Sequence, residues 1–169
     1  MIDENPWYAV YTKSRYEKRL AELLDEKGIE AYVPLRKVVR QWSDRKKLVA
    51  EPLIRSYCFV RPGPGDYHEV LNTDGAVRYV WFSGKAAPIP NKQIDILKVL
   101  TGSDVDVEVL PGSFLKGSPV RVNAGPLAGV IGELVEIQGR HRVLIKIDHL
   151  DQVLTISISP LLIEPYHGL

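Results

Sequence analysis

Eighteen residues at 120–137, VRVNAGPLAGVIGELVEI, constrain this chain more than any other stretch. Val120 and Val122 alternate as on a half-buried strand, residues 123–126 stop it with turn chemistry, and residues 130–137 leave the turn as a second β-favouring run. Gly129 and Gly132 suit tight curvature or close backbone approach. Further short β-rich runs follow at 143–147, 153–158 and 161–163, so five strands crowd into about fifty residues. That density predicts a small five-stranded β-barrel over residues 118–166.

A chain of 169 residues holds one ordinary domain or two small ones, and two fit better here: residues 5–102, a linker at 103–117, and the barrel at 118–166. No apolar run reaches the roughly 20 residues of a membrane helix, and Asp3 and Glu4 interrupt any signal-peptide pattern. A cytoplasmic protein without membrane contact is expected. Cys58 is the single cysteine and sits in an apolar run, which excludes a disulfide framework and a thiolate zinc site and predicts a buried, inert thiol. Net charge is +1, yet residues 1–101 carry 17 Lys and Arg against 13 Asp and Glu, whereas residues 102–169 carry 5 against 8. The amino-terminal part is therefore the one suited to phosphates.

In that part, residues 7–12 read as a strand and Ser14 with Glu17 as a capping box. A helix with Leu20, Leu23 and Leu24 on one side follows, and Gly28 stands where a left-handed C-terminal residue belongs. A β-hairpin spans 31–51 with its turn at Ser43-Asp44, a buried strand covers 56–60, Asp66 caps a short helix, residues 77–82 form another strand, and the last helix begins at Pro90-Asn91. The order amounts to an α+β fold: an antiparallel sheet with helices and a projecting β-hairpin, followed by the barrel.

The glycine-rich run at 125–132 is similar to a KOW motif. With Trp7-Tyr8-Ala9-Val10-Tyr11, Glu51-Pro52-Leu53-Ile54, Tyr57-Cys58-Phe59-Val60 and Val80-Trp81-Phe82, the chain resembles the NusG family of transcription elongation and antitermination factors, an NGN domain followed by a KOW domain. The resemblance runs from about residue 6 to 165. Within the family it leans toward the operon-directed paralogs, the RfaH and surface-polysaccharide antiterminator type, with the housekeeping elongation factor as the alternative. Such factors are not enzymes and use no cofactor. They bind the clamp helices of RNA polymerase and suppress pausing or termination.

The resemblance implies a polymerase-binding depression formed by Tyr11, Tyr57, Phe59 and Phe82, with Pro52 and Leu53 shaping its rim. Alternating strand aromatics are also ordinary core, Phe59 in particular. Lys13, Arg15, Lys18 and Arg19, where relatives approach the non-template DNA strand, and Arg40, Arg45, Lys46 and Lys47 of the hairpin, close to upstream DNA, are the nucleic-acid candidates. A solvated helix face and an aggregation-resistant hairpin are the plainer explanations. The resemblance further implies a barrel partner, ribosomal protein S10, met by Leu127, Ala128, Val130 and Leu150. Leu127 replaces the aromatic residue common there, which weakens the implication of the termination factor Rho.

Two other classes compete. No phosphate-binding Gly-rich loop or His-Glu-x-x-His pair supports an enzyme or a metal site. A KOW-containing ribosome- or translation-associated RNA-binding protein calls for strong basicity, which the acidic carboxy-terminal part lacks.

Overall fold

The computed structural model describes residues 5–111 and 117–168 and divides into two compact units, Met1–Asn91 and Lys92–Leu169.

The first unit begins with β1 (Trp7–Thr12), α1 (Glu17–Glu26), β2 (Glu30–Tyr32), β3 (Leu35–Gln41), β4 (Lys46–Pro52) and β5 (Tyr57–Arg61). It continues with α2 (Tyr67–Leu71), β6 (Ala76–Tyr79), β7 (Trp81–Phe82), β8 (Lys85–Ala86) and β9 (Pro88–Ile89). An antiparallel sheet runs β2-β5-β1-β6, with β9 paired to the start of β1. Register places Val10 opposite Cys58 and Tyr79, and Tyr8 opposite Val60. These residues form one face, onto which Leu20 and Leu24 of α1 and Val70 of α2 pack. Each such buried aliphatic side chain contributes about 1.5–3 kcal/mol relative to exposure. α1 ends as its sequence predicts: Gly28 has φ +76, and the Ile29 N–H donates to the Leu24 carbonyl at 2.9 Å, closing the last turn.

Local detail departs from sequence in two places. The Ser14–Glu17 capping box does not form: no side chain caps α1, and Glu17, 5% exposed, accepts the Ser56 N–H at 2.8 Å. A buried carboxylate takes the donor that tertiary packing brings to it. The strand expected at 77–82 breaks into β6 and β7, and Val80 between them donates to the Ala9 carbonyl at 2.8 Å.

The hairpin is a separate two-stranded ribbon, β3 with β4, in register from Leu35↔Pro52 to Gln41↔Lys46. Trp42 and Arg45 close its tip with reciprocal backbone bonds of 2.7 and 3.3 Å, the two-residue loop that Ser43-Asp44 predicts.

At the division lies α3 (Asn91–Thr101), with Ile94, Leu97 and Leu100 buried. The second unit continues with β10 (Val107–Pro111), β11 (Ser118–Val122), β12 (Ile131–Ile137), β13 (Arg140–Lys146) and β14 (Gln152–Ile156). A 3₁₀ turn at Pro160–Leu162, capped by the Ser159 hydroxyl, leads into β15 (Ile163–Pro165). The five-stranded barrel expected here is overturned. The sheet has six strands in the open order β10-β14-β13-β12-β11-β15, and no ladder among the described residues joins β10 to β15. The sixth strand, β10, comes from the segment expected to be linker.

The edges explain the missing closure. Both end strands finish in a proline, Pro111 and Pro165, which has no N–H to give a ladder, and both carry carboxylates, Glu108 and Glu164. One sheet face collects Val120, Val122, Val143, Ile145, Leu154 and Ile156, all buried. Gly132 serves close approach, as the sequence suggests: a Cβ there would stand 2.5 Å from the Leu144 carbonyl oxygen.

Candidate functional site

The sheet face of the first unit opposite α1 and α2 is aromatic. β1 and β5 alternate so that Ala9 opposes Phe59 and Tyr11 opposes Tyr57, while β2 brings Tyr32 opposite Phe59. Tyr11 and Tyr57 meet with ring centroids 5.0 Å apart, and Tyr32 and Phe59 lie 6.5 Å apart. Of these, Phe59 is fully buried and Tyr57 is 2% exposed, so their rings support the surface from below; Tyr11 and Tyr32 are half-buried. Arg78, which the sequence reading passed over, lays its guanidinium 4.8 Å from the Tyr11 ring centroid, a favourable cation–π geometry.

Leu53 is buried and its N–H donates to the Pro34 carbonyl at 2.8 Å, whereas Pro52 ends β4 half-buried. Phe82 stands on the β7–β8 hairpin at 61% exposure, beside Trp81 at 59%. Two large exposed aromatics on one two-residue strand are unusual, and Trp81 was missed only because its neighbour carried the motif.

The cations fall into two groups. Lys13, directly after β1, donates to Asp74 Oδ1 at 2.9 Å, and its backbone N–H is held by the Gly75 carbonyl at the same distance. Hydrogen bonding and charge in this exposed pair raise the Lys13 pKa above its ordinary value and lower that of Asp74. Both groups stay ionised across neutral pH. Arg15 is exposed with φ +64 and has no side-chain partner among the described residues. Lys18 reaches the Ala50 carbonyl at 2.9 Å, and Arg19 pairs with Glu22 at 3.3 Å. On the hairpin, Arg40 pairs with Glu51 through Nε at 2.6 Å and stands opposite Lys47, while Arg45, Lys46 and Lys47 have no ion partner among the described residues. Trp42 at the tip is 56% exposed.

The two groups meet at a cleft of about 510 Å³ between the start of α1, the base of the hairpin and the Arg55–Ser56 corner. Lys18 spans it by its bond to Ala50. Arg55, absent from the sequence candidates, lines the same cleft. Its position two residues before the aromatic Tyr57 run gave no separate signal.

Cys58 lies in the opposite, helix-covered face. Burial, and then the nearby Glu17 charge, push its thiol up to about 12. Such a thiol is no nucleophile.

In the second unit Leu127 is buried, Ala128 is exposed, and Val130 and Leu150 are half-buried. Asp106 and Glu108, which alternate with valines in the sequence, face the buried Arg142 at 3.1 and 4.0 Å. No helix among the described residues is long and apolar enough to cross a membrane.

Comparison with known proteins places these features. The family described as transcription termination factor NusG matches residues 5–98. The transcription termination/antitermination protein NusG of Halalkalibacterium halodurans is 28% identical over 149 residues, covering 80% of this chain and 83% of that one. The protein of the same name from Staphylococcus carnosus is 30% identical over 152 residues, covering 78% and 79%. Among solved structures, NusG of Thermotoga maritima superposes with a TM-score of 0.56 at 23% identity, over 96% of this chain and 97% of that one, a likeness of fold. The chain belongs to the NusG family of transcription factors and is not an enzyme.

Proposed function

We propose that this chain is a general NusG-type elongation and antitermination factor that binds the clamp helices of RNA polymerase through its first unit. The observation that carries the reading is the aromatic face: the Tyr11–Tyr57 pair at 5.0 Å and the exposed Phe82, rigid rings of the kind that dominate protein interfaces. Phe59 and Leu53 act as the support beneath it, with Pro52 at the rim. The cations of α1 and the hairpin meet DNA, the former the non-template strand and the latter the upstream duplex, where they exchange condensed counterions for phosphates. A working division into residues 5–102, 103–117 and 118–166 goes with this reading, the last part recruiting ribosomal protein S10 through Ala128, Val130 and Leu150 around the buried Leu127. Rho is the weaker candidate there.

The narrower form of the reading restricts the factor to particular operons, such as those for surface polysaccharides. The names of the curated relatives, which are those of the general factor, favour the general form. Mapping occupancy along transcripts decides between them, because a general factor follows polymerase on most genes.

The clamp reading is tested by Tyr11→Ala with Phe82→Ala. These positions avoid the buried Tyr57, so the fold survives. Loss of at least tenfold in affinity for RNA polymerase is the expected result, and unchanged affinity refutes the assignment.

A further inference from the structure

The cleft beneath the hairpin is more specific than a basic surface. Three separate elements bring four cations to it, Arg15 and Lys18 from the start of α1, Arg40 from β3, and Arg55 from the corner before β5, against two carboxylates. Both carboxylates are engaged: Glu17 accepts the Ser56 N–H and Glu51 holds Arg40. Two positive charges are left over inside a concave, partly desolvated space. Like charges gathered without counter-ions cost stability, and a concave wall focuses their field on whatever enters. The tether from Lys18 to Ala50 at 2.9 Å keeps the walls together.

We propose that this cleft holds one backbone phosphate of single-stranded DNA, with Arg15 and Arg55 as its principal ligands. The proposal rests on the reading that the first unit engages DNA, and it names an atom-level site for that contact. A phosphodiester suits the donor set. Guanidinium forks match phosphate oxygens bidentately, and the Ser14 and Ser56 hydroxyls in the lining add neutral donors. Val49, Ala50 and Pro52 supply an apolar wall for the sugar. A single strand fits because its phosphates can enter a cleft one at a time, whereas a duplex presents them on a wide cylinder.

The test measures binding of a fluorescein-labelled twelve-nucleotide DNA strand to the full chain by anisotropy, across a salt series. Arg15→Ala with Arg55→Ala removes two exposed side chains, and circular dichroism checks that the fold is kept. Lys85→Ala with Lys92→Ala removes the same charge elsewhere. Support is a loss of at least tenfold for the cleft variant, a salt slope shallower by about 0.7 as expected for one single-strand phosphate, and less than twofold change for the control. Inorganic phosphate, at ionic strength matched with chloride, should shift the Arg15 and Ser56 amide resonances of the wild type and not those of the variant. Equal losses in variant and control, or none in the variant while Arg45→Ala with Lys47→Ala weakens binding, overturn the cleft and leave the DNA reading standing. If the wild type fails to bind the strand at low salt, both fall.

Discussion

The two units build antiparallel sheets from similar residues but spend their charges differently. In the sheet of the second unit, Arg121 is held by Glu164 at 2.6 Å, Lys146 by Glu133 at 3.3 Å and Arg142 by Asp106 at 3.1 Å, so its cations serve the fold that carries them. In the first unit, Arg15 and the hairpin cations Arg36, Lys37, Arg45, Lys46 and Lys47 have no ion partner among the described residues. Internal pairing leaves little field to offer a partner; unpaired cations on a projecting ribbon leave much. The comparison assigns anion binding to the first unit from geometry, where composition had given only a charge balance.

The largest effect that tests the separateness of the units is a core truncation. Leu24→Ala removes a fully buried side chain of α1 and should destabilise the first unit by about 2–5 kcal/mol. Urea unfolding followed by backbone resonances should show that loss in the first unit with the second unit's transition unmoved; a common shift would mean the units unfold as one.

Next comes the paired charge at the centre of the second unit. Arg142, 5% exposed, donates to the Thr155 hydroxyl and carbonyl at 3.0 Å each and to the Asp106 carboxylate. Arg142→Ala leaves the buried Thr155 groups without these bonds and should cost roughly 2–3 kcal/mol. A much smaller loss by the same urea assay would place the guanidinium among solvated surface charges and erase the contrast with the hairpin.

A smaller effect sharpens the DNA side. Asp74 competes with phosphate for Lys13, so Asp74→Asn should tighten single-stranded DNA binding about twofold to fivefold, since an exposed pair is worth at most about 1 kcal/mol. A weakening would show that the carboxylate positions the lysine instead.

The smallest concerns the thiol. Cys58, neutral in the folded state with its pKa pushed up to about 12 from the ordinary 9.0, should resist iodoacetamide at pH 8.5 until the first unit unfolds. The unfolded thiol ionises first as pH rises, so the folded state binds more protons between those two values and stability falls through that window. Fast alkylation of folded protein would contradict the burial.

Much of this architecture is legible in the sequence because it is local. The end of α1 at Gly28, the turn at Ser43-Asp44, the close approach at Gly132 and the buried Cys58 follow from short-range sterics and periodicity. The family resemblance is legible as well, through motifs that occur in order along the chain. The Ser14 cap is not, because the competing donor for Glu17, the Ser56 N–H, lies 39 residues away. Neither is the open second sheet, since closure depends on whether two edges far apart in sequence can pair, and β-propensity says only that a strand forms.

The sequence by itself determined the family, the two β-rich parts and the placement of excess positive charge in the first part, because composition and periodicity are properties of neighbours along the chain. Only the tertiary structure decided that the second sheet stays open, that Phe59 and Tyr57 lie beneath the surface while Tyr11 and Phe82 reach it, and that Arg15, Lys18, Arg40 and Arg55 share one cleft. Those outcomes depend on register and long-range packing, where a shift of one residue exchanges the two faces of a strand.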